Sequence, residues 1–134
     1  MKDEGGRMKD EEGRGTGAPE DLKTRTKRFA LEVIRLYSSL PKSAESQVIG
    51  RQMLRSGTSV GAQYREGARS RSNAEVISKL ESALQELEET RYWLELLAEA
   101  ALIRSERLTN LFKEADELTA ILVTCVKKVK ARHS

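Results

Sequence analysis

The sequence predicts an all-α protein, an antiparallel up-down bundle of four helices in one domain. Three observations lead there. Apolar residues recur at three- and four-residue spacings through four successive segments, as amphipathic helices require. No segment alternates apolar and polar residues around β-branched side chains, as a half-buried strand would. The connections between segments are short, which makes consecutive helices antiparallel neighbours. A chain of 134 residues, 38% apolar and 34% charged, has the size and balance of one such domain with a solvated exterior.

Residues 1–19 are rich in Gly, Glu and Lys and almost free of large apolar side chains. They bury too little to offset the entropy of ordering, so they are expected to form a disordered tail. The bundle is expected over 20–131, with 132–134 as a frayed basic end. In the first helix Leu22, Phe29, Val33, Leu36, Tyr37 and Leu40 share a face, and Pro41 stops it. A second helix begins near Ser43 and is read through residue 71. The third runs from Asn73 to Ala101, capped by Ser72 or Asn73, with Val76, Ile77, Leu80, Leu84, Leu87, Leu94 and Leu97 inward. Leu102-Ile103-Arg104 reads as the turn. Ser105 then caps a fourth helix that packs through Leu108, Leu111, Ala115, Leu118, Leu122, Val126 and Val129.

The second helix contains S-G-T-S-V-G-A-Q-Y-R-E-G-A-R-S-R-S at 56–72. At about 100° per residue, Ile49, Met53, Ser56, Val60, Tyr64 and Gly67 fall in one arc. Arg51, Arg55, Thr58, Ala62, Arg65 and Arg69 fall nearly opposite. A loop would not sort its residues this way. Each interior glycine costs about 1 kcal/mol against alanine, so the glycines need a reason. Gly57, Gly61 and Ala68 share one flank of the apolar arc, where small residues let another helix backbone come close. A phosphate-binding loop is excluded, because the G-x-x-x-x-G-K-[ST] pattern and its preceding strand are absent.

Charge is segregated along the chain. Residues 23–71 carry eleven lysines and arginines against three glutamates, a net of +8. Residues 73–101 carry two against seven, a net of −5, and the C-terminal K-K-V-K-A-R-H is basic again. Arg51, Arg55, Arg65 and Arg69 line one helix face, Arg71 follows, and Arg25 and Arg28 add charge from the first helix. Such arrays neutralise phosphate backbones. No aromatic residues stand among them to stack bases, so backbone contact to RNA or DNA is the expectation rather than sequence reading. The alternative is that these arginines pair with Glu81, Glu86, Glu88 or Glu95, within a chain or across an interface.

A second surface is read on the third helix. Tyr92, Trp93 and Leu96 point away from the stripe of Leu94 and Leu97. A helix apolar on two sides must bury both, so these three residues mark a contact with a second copy of the chain, the alternative being a broad core. Catalytic chemistry is not expected. The one histidine, His133, is penultimate, and no Glu-x-x-His pair exists for a di-metal site. Cys125 lacks a histidine to activate it and reads as a small apolar filler. No cofactor is expected. No stretch approaches the length of a membrane span. The N-terminus has no apolar core of a secretory signal, so a cytoplasmic protein is the default.

The run T-S-V-G-A-Q-Y-R-E-G-A-R-S-R-S, followed by E-V-I-S-K-L-E-S-A-L-Q-E-L-E-E-T-R-Y-W-L-E-L-L, resembles the bacterial four helix bundle protein family. That family includes proteins encoded in intervening sequences of large-subunit ribosomal RNA genes. It is also similar to the accessory variability proteins of diversity-generating retroelements. The resemblance covers roughly residues 22–128. It implies a left-handed bundle assembled as a homopentamer and, from the retroelement members, binding of nucleic acid and a reverse transcriptase. Where the family usually has asparagine, this chain has Gln63.

Overall fold

The computed structural model describes residues 21–132. Helix α1 spans Leu22–Ser38, α2 Ala44–Ala68, α3 Asn73–Glu99 and α4 Thr109–Ala131; one 3-10 turn, Ser105–Leu108, precedes α4. Among the described residues there is no strand. The expected disordered tail at 1–19 and His133 lie outside the described residues.

Local chemistry fixes the helix ends. The Asp21 carboxylate accepts from the Lys23 N–H at 3.1 Å and starts α1. The Ser39 and Leu40 N–H groups close α1 on the carbonyls of Leu36 and Tyr37, and Pro41 follows. Ser43 caps α2 by accepting from the Ser46 N–H at 3.3 Å. At its far end α2 stops at Ala68, three residues short of the expected 71. Ser72 is the reason. It takes extended backbone (ψ 149°) to accept the Glu75 N–H at 3.1 Å and cap α3, so α2 cannot run into it. Arg69 therefore caps the end of α2, and Arg71 lies on the connection.

Helix α3 also ends earlier than expected, at Glu99. Ala101 adopts the left-handed region at φ 58°, which lets its N–H reach the Ala98 carbonyl and the Leu102 N–H return to that of Leu97, both at 3.0 Å. The turn is thus Ala100–Arg104, with Ile103 buried within it. Ser105 does not cap α4. It opens the 3-10 turn, and α4 begins at Thr109 without a side-chain cap.

The four helices pack as α1–α2, α2–α3, α3–α4 and α1–α4, and α1 and α3 do not meet. This is the predicted antiparallel bundle, with α1 diagonal to α3. Phe29, Val33, Met53, Leu87, Leu94 and Leu118 are among the side chains sealed in its centre. The glycines of α2 serve the α1 seam. A Cβ at Gly57 would lie 2.9 Å from both γ carbons of Val33, and one at Gly61 3.0 Å from Thr26 Oγ1. Ala68 does not join them, because it is exposed. In this antiparallel register Arg65 already lies against the Lys23 carbonyl, so the position opposite Ala68 falls before α1 begins. Close packing at this end passes instead to Gly67, where a Cβ would stand 3.1 Å from Lys79 Cβ of α3.

Candidate nucleic-acid interface

The seven arginines expected to contact nucleic acid fall into different environments. Arg25 is only 17% exposed. Its Nε and Nη2 donate to the two oxygens of Glu114 at 2.8 and 2.9 Å, and Nη2 also reaches Glu117 at 2.5 Å. Hydrogen bonding to Glu114 holds its pKa above the ordinary value against the opposing effect of burial. This guanidinium ties α1 to α4. Arg55 pairs with Glu89 and, at 3.5 Å, with Glu86, tying α2 to α3. In return that hydrogen bond holds the Glu89 carboxyl below its usual range. Arg25 and Arg55 therefore do not form part of an open cationic stripe; of their partners only Glu86 is among the glutamates the pairing alternative named, while Glu89, Glu114 and Glu117 are not.

Arg28 is exposed and lines a groove of about 310 Å³ between α1 and α4 with Glu32, Lys113 and Glu114. Arg51 is exposed and its side chain makes no hydrogen bond or ion pair within the described residues. Arg65 is half-buried and donates from Nη2 to the Lys23 carbonyl at 3.4 Å, leaving its charge uncompensated. Arg69 and Arg71 are exposed at the α2–α3 connection, and no carboxylate ion-pairs with either.

Topology, rather than one helix face, gathers the remaining cations. With four antiparallel helices, the start of α1, the end of α2, the start of α3 and the end of α4 all meet at one end of the bundle. Contacts across that end confirm it: Arg65 to Lys23, Glu66 to Lys79 at 2.7 Å, and Glu81 to Lys130 at 3.4 Å. Two of its carboxylates are thereby engaged, and Glu66 is held below its usual pKa by the Lys79 hydrogen bond. Exposed Lys23, Lys27, Arg69, Arg71, Lys127, Lys128 and Arg132 lie toward the same end of the bundle as the half-buried Arg65, with Lys127, Lys128 and Arg132 on the helix diagonal to it. The aromatic nearest this end, Tyr64, is half-buried, its phenol pushed up in pKa by burial and by the nearby Asp21 and Cys125. It is turned inward, so no stacking platform faces out. The sequence reading missed Lys127, Lys128 and Arg132 as partners of Arg69 and Arg71. The signal was present in the basic run closing the chain, but joining it to the second helix needs the count and direction of the helices.

The expected interface residues divide. Tyr92 is 51% exposed, its ring tilted against Trp93 at 5.0 Å between centroids. Trp93 leans back against the core instead of standing outward, and its Nε1–H donates to Glu89 at 3.2 Å. Leu96 is half-buried. The Gln63 Oε1 is buried and accepts no hydrogen bond in the described structure. Cys125 is half-buried. Among the described residues no group of three or more His, Cys, Asp and Glu is placed to hold a metal ion, and no helix is long and apolar enough to cross a membrane.

Residues 21–124 match the family model described as 23S rRNA-intervening sequence protein. The chain belongs to this family. Its fold matches a solved structure, that of a protein of unknown function from the S23 ribosomal protein family of Bacteroides thetaiotaomicron VPI-5482. The two share 36% identity and superpose with a TM-score of 0.75 over 80% of this chain and 99% of that one. No curated protein matches the chain. The family match to the intervening-sequence proteins stops before Lys127, so the cationic end of α4 lies outside it.

Proposed function

We propose that this chain is a non-enzymatic, self-associating bundle that holds the phosphate backbone of RNA or DNA against its cationic end. The observation that carries the reading is that Arg65, Arg69, Arg71, Lys127, Lys128 and Arg132 lie toward one end of the bundle, none ion-paired to a carboxylate among the described residues. Flexible cations without exposed aromatics suit backbone neutralisation and do not distinguish bases. Repetition in an oligomer would multiply the effect, since several weak sites on one particle bind a continuous polyanion far more tightly than one. The pentameric state and a reverse-transcriptase partner enter this proposal through the family resemblance alone.

Binding of the purified protein to mixed-sequence RNA and DNA over a salt series tests it. Four phosphate contacts predict a log–log slope of about −3.6 for duplex DNA and about −2.8 for single strands. Arg69→Glu with Arg71→Glu should weaken binding at least tenfold and flatten the slope. Arg25→Gln and Arg55→Gln should not, because those guanidiniums are already engaged. Absence of binding at low salt would refute the proposal. It would favour the second reading, a protein-interaction scaffold whose charges serve assembly only, to which the Arg25 and Arg55 ion pairs already lend support.

A further inference from the structure

We infer that copies of this chain associate head to tail, the outward face of α1 in one copy seated on the outward face of α3 in the next. This rests on the self-association proposed above and specifies which surfaces meet. On α1, Leu31 and Ile34 are 40% and 41% exposed, with Lys27 and Arg35 beside them. On α3, Tyr92 is 51% exposed beside the half-buried Leu96, with Glu88 and Glu99 on the same side of the helix. Neither pair of flanking charges is engaged in an ion pair within the described chain.

The two patches are both apolar and opposite in the sign of their rims. An isologous contact, α1 face on α1 face or α3 face on α3 face, would set like charges against each other around a desolvated centre. Only the unlike pairing buries Leu31 and Ile34 against Tyr92 and neutralises Lys27 and Arg35 with Glu88 and Glu99. Because α1 and α3 are diagonal, the patches face opposite sides of the bundle and a chain engaged through one keeps the other free. The contact is therefore heterologous and repeats, closing into a ring where the rotation permits.

Complementation tests the arrangement. Leu31→Glu with Ile34→Glu spoils the α1 patch, and Tyr92→Lys spoils the α3 patch; all three positions are exposed, and far-UV circular dichroism checks that each variant keeps its helices. The masses of each variant and of an equimolar mixture are read by light scattering. The expected result is a wild-type oligomer, two monomeric variants, and a mixture of mass about twice 15.0 kDa that grows no further. A monomeric wild type would overturn self-association itself. A wild-type oligomer with either variant still self-associating, or with a mixture that stays monomeric, would overturn the face assignment alone. If the double glutamate variant unfolds, Lys27→Glu with Arg35→Glu replaces it, and growth of its mixture beyond two chains would equally overturn the assignment.

Discussion

Replacing Gly57 by alanine sets two effects of known sign against each other. In an open helix the change would stabilise the protein by about 1 kcal/mol through helix propensity. Here the new Cβ would stand 2.9 Å from both Val33 γ carbons and 3.2 Å from Val33 Cβ, and Val33 is fully buried. Valine in a helix is held to one main rotamer, and turning it would still leave one methyl in the way. Relief must come from moving α1 away from α2, an overpacking cost of about 1–3 kcal/mol. The balance is a loss of about 1 kcal/mol, or about 4 °C in Tm for a domain of this size. In a Val33→Ala background the two γ-carbon clashes are gone and only the 3.2 Å contact to the Cβ of residue 33 remains, so the same Gly57→Ala change should be more favourable than in the wild type by at least about 1 kcal/mol. Thermal denaturation of the four proteins of this double-mutant cycle, followed by circular dichroism at one protein concentration, reads the coupling directly. If Gly57→Ala raises Tm equally in both backgrounds, the close approach of α1 to α2 is not what the glycine provides.

Two further outcomes follow from single residues. Ala101→Gly should stabilise the chain by about 0.5–1 kcal/mol, because the φ of 58° at that exposed turn strains alanine and suits glycine; an unchanged Tm would remove the strain argument. Glu89, held below its usual 4.5 by Arg55, contributes stability that is present above that value and is lost as pH falls through the lowered pKa. Wild type should exceed Glu89→Gln by about 0.5 kcal/mol at pH 7, the modest size reflecting how exposed the pair is. That margin should vanish in acid, and one that stays constant from pH 7 to pH 3 would show that the ion pair is not its source.

The number of helices and their inward stripes were legible because 3.6-residue periodicity is written locally. The role of Gly57 and Gly61 was legible for the same reason, as a cost in the helix that only a close neighbour explains. Ala68 shares their face by periodicity, but whether anything stands opposite depends on where α1 starts, which is a property of the register between helices. The end of α2 was missed because Ser72 serves the next helix rather than the one before it. Arg55 was recognisable as one of several arginines facing many glutamates, and Glu86 was among the partners considered. Its pairing also with Glu89, however, and the union of Arg25 with residues 89 and 92 positions away, depend on which helices become neighbours. Trp93 shows the limit of a wheel projection. It lies at the margin of the apolar arc, and a large indole there can reach the core while its N–H stays with a carboxylate.

An even number of helices returns the polypeptide to its point of departure. Asp21 and Arg132 both sit at the cationic end, so a fluorophore, affinity tag or fused domain joined directly at either of these residues starts out beside the very surface a polyanion would occupy. Probes of that surface are better anchored at the far pole, on the exposed Lys42 of the α1–α2 connection or at Arg104, where the attached group stands a bundle's length away.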